Sequence, residues 1–165
     1  MSLVPIVSDQ DEIITYKERG DIDYAVDIFR TASVWVTNSQ GDILLAQRSF
    51  DKKVDPGKWG EAVGGTVEGD DSYKETARRE AAEELGLLDV ELHDGPKQLV
   101  KGDATYFVQW YKAKVDVPVE SFMYQEDELE AIAWFAKDDL QKDIGYNPGK
   151  YIQGMGNMLE LLELA

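Results

Sequence analysis

Three glutamates near the middle of the chain have a spacing that could hold a divalent metal ion. Glu80 and Glu84 are four residues apart, and Glu83 lies three residues after Glu80. In a helix, this spacing places the three carboxylates on one face, about one turn apart. Because like charges at that spacing repel one another, the face needs a positive partner. Such oxygen ligands suit Mg²⁺, which binds few carboxylates and takes water and substrate phosphates as its other ligands. A solvated acidic helix face is the alternative interpretation.

A helix over residues 72–85 must position these carboxylates. Ser72 and Glu75 form a capping-box pattern, in which two free amide donors at a helix start are satisfied. The residues that follow are mostly Ala, Arg, Glu and Leu, which are good helix formers. Gly86 stands where a helix stop is expected. A loop after the Gly64-Gly65 pair leads into this helix, so loop and helix start should be held at a fixed distance.

The rest of the chain predicts strands with helices outside them. Residues 6–16 predict a hairpin around a polar turn, residues 121–130 predict an acidic loop, and His93 is expected in a loop. A helical turn is predicted at 137–141, and an amphipathic helix is predicted to end the tail at 150–164. Runs rich in β-branched and aromatic residues predict strands at 29–37, 43–48, 59–67, 90–92, 98–101, 104–115 and 131–135.

These elements predict an α+β fold, in the form of an α/β/α sandwich with a mixed β-sheet and an N-terminal β-hairpin. The length of 165 residues suits one domain with a real core. We divide residues 1–165 into an N-terminal hairpin extension at 1–28, a core at 29–142 and a C-terminal helix at 143–165.

The charge balance excludes several classes of partner. The chain carries 17 Lys and Arg against 33 Asp and Glu, for a net charge of −16. That field would repel a polyanion, so no nucleic-acid partner is expected.

No apolar run approaches the roughly 18 residues of a membrane span, and the N-terminus lacks a signal-peptide pattern. We therefore expect no membrane partner and a cytoplasmic location. The chain has no cysteine, which excludes a thiolate metal site and a cysteine nucleophile.

The glutamates and the loop before them resemble the Nudix box, the signature of the MutT-like Nudix hydrolases. The signature reads Gly, five residues, Glu, seven residues, Arg-Glu, an apolar residue, any residue, Glu-Glu, any residue, Gly and an apolar residue. Asp71 stands where the signature has its first glutamate and is one methylene shorter. The resemblance extends over about 29–140. The matching positions are Gly65, Arg79, Glu80, Ala81, Glu83, Glu84, Gly86 and Leu87.

The resemblance implies the Nudix sandwich, dependence on a divalent metal, and attack by water on a nucleoside diphosphate linked to another group. The implied metal ligands for Mg²⁺, with Mn²⁺ as a substitute, are Glu80, Glu83, Glu84 and the carbonyl of Gly65. The general base is expected to be Glu83, Glu84 or the loop residue Glu128, for which a plain surface loop is the alternative. Asp71 and Arg79 are expected to support the loop and the carboxylates.

Substrate contacts are expected from Arg48 and Lys58, whose cationic groups could bind phosphates, and from the backbone of Gly64 and Gly65. Ordinary surface cations are the alternative for Arg48 and Lys58. The expected partner is a small nucleotide or another phosphorylated molecule. The N-terminal hairpin could also pair across a homodimer.

Residues before the box also resemble the Nudix subgroup related to isopentenyl-diphosphate isomerase. That isomerase needs a catalytic cysteine and metal-binding histidines, whereas this chain has no cysteine and has Phe29 where a histidine is expected. We therefore exclude isomerase activity. A non-catalytic, nucleotide-sensing Nudix-fold binding module is the alternative to a hydrolase. Such modules commonly lose carboxylates from the box, but only Asp71 departs from it here.

Overall fold

The computed structural model describes residues 2–164, which form one nine-stranded β-sheet and three α-helices. The strands are β1 (Leu3–Val7), β2 (Ile13–Glu18), β3 (Ile28–Thr37), β4 (Ile43–Arg48), β5 (Trp59–Glu61), β6 (Val63–Thr66), β7 (His93–Lys101), β8 (Thr105–Lys114) and β9 (Leu129–Phe135). The helices are α1 (Tyr73–Leu85), α2 (Lys137–Tyr146) and α3 (Met155–Leu164).

Strand β3 is the centre of the sheet. It pairs in parallel with β8 along its whole length and antiparallel with β6. On one side, β7 extends the sheet by antiparallel pairing with β8. On the other, β4 pairs antiparallel with β5 and β9. The predicted mixed sheet is confirmed, and so is the hairpin, because β1 and β2 pair antiparallel and β1 joins β3.

Helices cover both faces of this sheet. Helix α1 buries Ala77, Ala81 and Leu85 against small and β-branched side chains of β3, β4 and β6. Helices α2 and α3 pack on the opposite face, around the buried indoles of Trp35 and Trp110. The predicted α/β/α layering is therefore confirmed. No helix among residues 2–164 is long and apolar enough to cross a membrane.

Two local predictions were wrong, and a third was right in kind but too short. The run 90–92 is not a strand, because Leu92 buries its side chain in the core beneath α1 without pairing to another strand. His93 is not in a loop but begins β7, opposite Lys112. The helical turn predicted at 137–141 continues to Tyr146 as α2.

An ionic cluster attaches the N-terminal hairpin to the core. Asp11, in the hairpin turn, has a positive φ of 63° and a side chain that is 10% exposed. Its carboxylate accepts hydrogen bonds from Arg30 of β3, from the hydroxyl of Tyr73 at the start of α1, and from Lys97 of β7. Arg30 also donates to the Asp11 carbonyl. The turn is therefore held against the first residue of the helix that carries the box glutamates.

Candidate active site

Helix α1 begins and ends as its sequence predicts. The Ser72 hydroxyl accepts from the amide of Glu75, and the Glu75 carboxylate accepts from the amide of Ser72, so both bonds of the capping box are present. Gly86 ends the helix with a left-handed φ of 68° and donates its amide to the last turn. The two caps fix the register in which the glutamates leave the helix.

The Gly64-Gly65 pair brings strand β6 against two of those glutamates. The amide of Gly64 donates to Glu84 Oε2 at 2.9 Å. A Cβ atom at Gly65 would overlap the carboxylate and Cγ of Glu80, so the absence of a side chain makes room for that glutamate. Because Gly65 pairs with Ala32 of the central strand, the close approach is set by the sheet.

Arg79 lies close to the carboxylates of three acidic residues, Asp71, Glu80 and Glu83. Its Nη1 donates to Glu80 Oε1 at 2.9 Å and lies 3.9 Å from Glu83 Oε2, and its Nε lies 3.5 Å from Asp71 Oδ2. The predicted supporting pair, Arg79 and Asp71, is thus brought together. The Nη2 atom of Arg79 is buried and has no hydrogen-bond partner among the described residues.

Glu84 is a partly buried carboxylate that has no cationic partner in the described structure. Burial raises its pKa to about 8, against the hydrogen bond from Gly64, and the charges of Glu80, Glu61 and Glu128 act in the same direction as burial. Burial also raises the pKa of Glu80, although Arg79 opposes that shift. Both carboxylates would therefore be more easily ionised beside an added cation.

Glu84 lines a cavity of about 220 Å³, which we call the first cavity. Lys52 forms an ion pair with Glu128, which joins the loop after β4 to the loop before β9 across this cavity. Arg48 donates its Nε to the carbonyl of Val54 in the first of those loops. Gly64 also lines the cavity. The charged residues that line it are Arg48, Lys52, Asp55, Glu61, Glu84 and Glu128.

Lys58 and Glu83 are among the predicted site residues that do not line the first cavity. Lys58 contacts Asp55 at 3.4 Å and lines a separate surface depression near α3 instead. The side chain of Glu83 is 58% exposed and faces Arg79 rather than the cavity. Arg48, Gly64, Glu84 and Glu128 are brought together around the cavity, while Gly65 and Glu80 contact each other beside it.

Glu61 is a site residue that the sequence analysis did not single out. It lies in β5, lines the first cavity and is close to Gly64, at 3.5 Å from the position that a Gly64 Cβ would take. Burial raises the pKa of its carboxyl, while its own amide and the charge of Arg48 oppose the shift. An acidic residue inside an otherwise apolar strand was the available signal.

The oxygen donors at this site fit a divalent cation. No three acidic or histidine side chains within residues 2–164 already stand close enough to hold a metal ion. Glu84 accepts from the amide of Gly64, and Glu80 accepts from Arg79, so each carboxylate has one donor within the protein. The fit rests on the space that Gly65 leaves for the Glu80 carboxylate and on the partly buried Glu84, which lacks a compensating cation.

Replacing Gly65 with alanine is expected to lower kcat by about 10²-fold, because the new Cβ must push the Glu80 carboxylate out of place and a shift of about 1 Å can cost that much. The melting temperature should change little, since the displaced group is the end of a flexible side chain. Steady-state kinetics and thermal unfolding check both points. The control is Gly145→Ala in α2, where a Cβ would meet nothing within 4 Å. An equally active Gly65→Ala enzyme would contradict the assigned contact.

Sequence comparisons identify relatives over most of the chain. The model of the NUDIX domain family matches residues 27–159. The Nudix hydrolase YfcD of Escherichia coli K12 is 30% identical over 137 residues, which are 83% of this chain and 75% of YfcD. The Nudix hydrolase all7351 of Nostoc is 28% identical over 158 residues, which are 86% of this chain and 90% of that protein.

Solved structures share the fold at low sequence identity. DR0079 from Deinococcus radiodurans has a TM-score of 0.80 and 20% identity, over 95% of this chain and 96% of its own. The NUDIX domain of Shewanella oneidensis NrtR, solved in complex with ADP ribose, has a TM-score of 0.63 and 16% identity, over 87% of this chain and 90% of its own. Neither comparison tests the predicted isomerase-related subgroup or the homodimer, which stay predictions.

Proposed function

The chain belongs to the Nudix family of pyrophosphohydrolases, and we propose that it is a Mg²⁺-dependent enzyme that cleaves a phosphoanhydride bond in a nucleoside diphosphate linked to another group. The observation that carries the proposal is the first cavity, in which cationic and acidic side chains face each other beside Gly64. Cations can bind phosphate oxygens directly, while carboxylates need a bridging metal to accept the same anion.

The cationic side chains are proposed to bind the substrate phosphates directly, and the acidic side chains are proposed to bind them through Mg²⁺. Arg48 and Lys52 would bind phosphate oxygens, with the guanidinium of Arg48 held by the Val54 carbonyl. Glu80, Glu84 and the carbonyl of Gly65 would hold Mg²⁺, and Glu83 at the exposed edge could join them. When bound, Mg²⁺ supplies positive charge to the phosphate oxygens and acidifies a water molecule.

Glu128 is the base that we favour. It lines the first cavity, whereas Glu83 does not, and Glu84 is assigned to the metal. Its carboxylate pairs with Lys52, so a substrate phosphate that attracts Lys52 would free Glu128 to accept the proton of the attacking water. Asp71, through Arg79, would keep Glu80 in place.

The substrate is proposed to be a nucleotide derivative. The NUDIX domain of NrtR was solved with ADP ribose, which makes nucleoside diphosphate sugars the first compounds to test. The alternative is a nucleotide-binding module without hydrolysis, for which ADP ribose is likewise the first compound to test. Two observations favour the hydrolase. The chain keeps the box glutamates Glu80, Glu83 and Glu84, and two cationic side chains, Arg48 and Lys52, line the first cavity.

The test is a panel of nucleoside diphosphates and triphosphates, ADP-ribose, sugar nucleotides and dinucleotides, each with and without Mg²⁺, with products resolved by phosphorus NMR in ¹⁸O-water. We expect Mg²⁺-dependent cleavage of one class. Glu128→Gln should lower its kcat by about 10²-fold or more, whereas the matched control Glu126→Gln, at an exposed position outside the cavity, should not. No turnover, with a rise in melting temperature on adding ADP-ribose, would support the binding module.

A further inference from the structure

Lys52 lies in a loop, residues 49–57, that joins β4 to β5 and that we call the Lys52 loop. Its two ends are held together, because the amide of Arg48 donates to the carbonyl of Lys58 at 2.9 Å. The Lys52 loop lies against the loop before β9, residues 122–128, and side chains from both loops line the first cavity. The position of the Lys52 ammonium therefore depends on how these two loops are fastened to each other.

Ser49 builds the turn that carries Lys52. It is buried, with 4% exposure, although it is a polar residue in a loop. Its hydroxyl accepts from the amide of Asp51 at 3.2 Å, and its carbonyl accepts from the amide of Lys52 at 3.2 Å. Serine hydroxyls that bond an amide two residues on stabilise such turns. The amide of Ser49 donates to the carbonyl of Glu128 at 3.1 Å, so one residue connects the backbones of both loops.

Glu130 of β9 fastens the same turn from the other side. Its Oε1 accepts from the amide of Phe50 at 3.3 Å. The ring of Phe50 in turn lies against Gly57, where a Cβ atom would overlap it. Glu130 is not among the described residues that line the first cavity, whereas Glu128 is. The carboxylate of Glu130 thus acts on the Lys52 loop through its backbone.

A third connection between the two loops uses groups that are assigned to the reaction. It is the ion pair of Lys52 and Glu128, whose side chains are 30% and 52% exposed. Lysine carries its charge on a flexible four-carbon chain, so the ammonium can exchange one anionic partner for another without movement of the backbone. An ion pair this exposed changes an equilibrium by no more than about fivefold, which a bound phosphate can overcome.

We propose that Ser49 and Glu130 are positioning residues for phosphate binding, which hold the turn so that the Lys52 ammonium lies within reach of both Glu128 and a phosphate in the first cavity. Glu128 then competes with the phosphate for Lys52 in the free enzyme. This inference rests on the proposed function for the placement of the phosphates. Ser49 and Glu130 contact neither the phosphate nor the metal, and they act only through the backbone that carries Lys52.

The experiment measures the Kd of methylenediphosphonate for the full chain in Mg²⁺ by isothermal titration calorimetry. Hydrolysis does not cleave its P–C–P link, so binding is measured without turnover. Ser49→Ala removes the acceptor for Asp51, and Glu130→Ala removes the acceptor for Phe50. Each should raise the Kd about 3–10-fold, the effect of one hydrogen bond. Glu130→Gln keeps an oxygen that accepts from Phe50 and should restore the parent Kd.

Two controls separate positioning from a loss of stability. Ser8→Ala removes a hydroxyl that accepts from the amides of Gln10 and Glu12 in the N-terminal hairpin, so it weakens a turn that is remote from the first cavity. Glu126→Ala removes an exposed carboxylate from the loop before β9. Neither should change the Kd. With the substrate found in the panel, Ser49→Ala and Glu130→Ala should raise KM and leave kcat at the parent value.

The competition for Lys52 has its own test. Glu128→Gln removes the competing charge, so methylenediphosphonate should bind about 2–5-fold more tightly than it binds the parent. In the Lys52→Met background the same change should have no effect, because the group that is competed for is gone. A tightening that persists in the Lys52→Met background would mean simple repulsion between Glu128 and the phosphate, and would overturn the competition.

The outcomes separate this inference from the proposed function. A parent Kd in both Ser49→Ala and Glu130→Ala overturns the positioning role, and turnover in the substrate panel would then leave the hydrolase intact. A raised Kd in both variants, without turnover of any compound in the panel, would retain the positioning role and remove the hydrolase.

Discussion

Replacing Glu84 with glutamine is expected to lower kcat by about 10²–10³-fold, with KM changing much less. Glu84 is the box glutamate whose carboxylate both lines the first cavity and is bound by Gly64. Removing its charge removes a metal ligand in the proposed site, and the loss of metal-based charge stabilisation of several kcal/mol corresponds to that rate factor. The measurement is steady-state kinetics at saturating Mg²⁺ on the substrate class found in the panel.

Two features make the Glu84→Gln experiment clear to interpret. The amide oxygen of glutamine can still accept the hydrogen bond from Gly64, and the variant removes a carboxylate whose charged form burial disfavours, so the metal-free fold should not be destabilised. Thermal unfolding without metal checks this. Glu160→Gln, an exposed position on α3, is the matched control and should keep full activity. A Glu84→Gln enzyme within tenfold of the parent would exclude Glu84 from the reaction.

Replacing Asp11 with asparagine is expected to lower the free energy of unfolding by about 3 kcal/mol at pH 7. The change leaves Arg30 and Lys97 without their shared carboxylate, and breaking a largely buried ion pair from one side costs about that amount. Asparagine tolerates the positive φ at this position, so backbone strain does not enter. Urea unfolding measures the difference. Asp9→Asn, exposed in the same turn, should stay within about 0.5 kcal/mol of the parent.

The difference in unfolding free energy between the parent and Asp11→Asn should also depend on pH, and the hydrogen bonds to Asp11 set its direction. Burial alone would raise the pKa of the Asp11 carboxyl, but the hydrogen bonds from Lys97, Arg30 and Tyr73 outweigh it and hold the pKa below its usual value of 3.8. A carboxyl with a depressed folded-state pKa contributes stability above its unfolded pKa and loses it as the pH falls through the folded value. The difference between parent and Asp11→Asn should therefore be constant above about pH 5 and shrink below pH 4. A difference that persists unchanged at pH 3 would mean that packing, not charge, is responsible.

The N-terminal hairpin also contacts the segment that positions the box glutamates. Asp11 contacts Tyr73, the first residue of α1, and Tyr16 of β2 donates to Asp70 in the loop before that helix. The hairpin is thus bonded to the segment that leads from the Gly64-Gly65 pair to the box glutamates. Loosening the turn should therefore affect the position of α1 as well as the global stability.

The sequence by itself determined the helix of the box and the spacing of the three glutamates on it. The capping pair Ser72 and Glu75, the stop at Gly86 and the spacing of the glutamates depend on hydrogen bonds between residues a few positions apart, which a sequence encodes directly. Strand positions such as Ile43–Arg48 were also predictable, because β-branched and apolar runs between turn residues indicate them.

Only the tertiary structure decided which distant residues meet. Glu61 of β5 and Glu84 of α1 both line the first cavity beside Gly64 of β6. Trp110 of β8 lies opposite Ser33 because β8 pairs in parallel with β3. Asp11 similarly meets residues of three other elements. Lys58 shows the opposite outcome, because it pairs with Asp55 but does not itself line the first cavity. Such contacts depend on strand order and on which face each helix covers, and these are properties of the packed sheet that no short stretch of sequence contains.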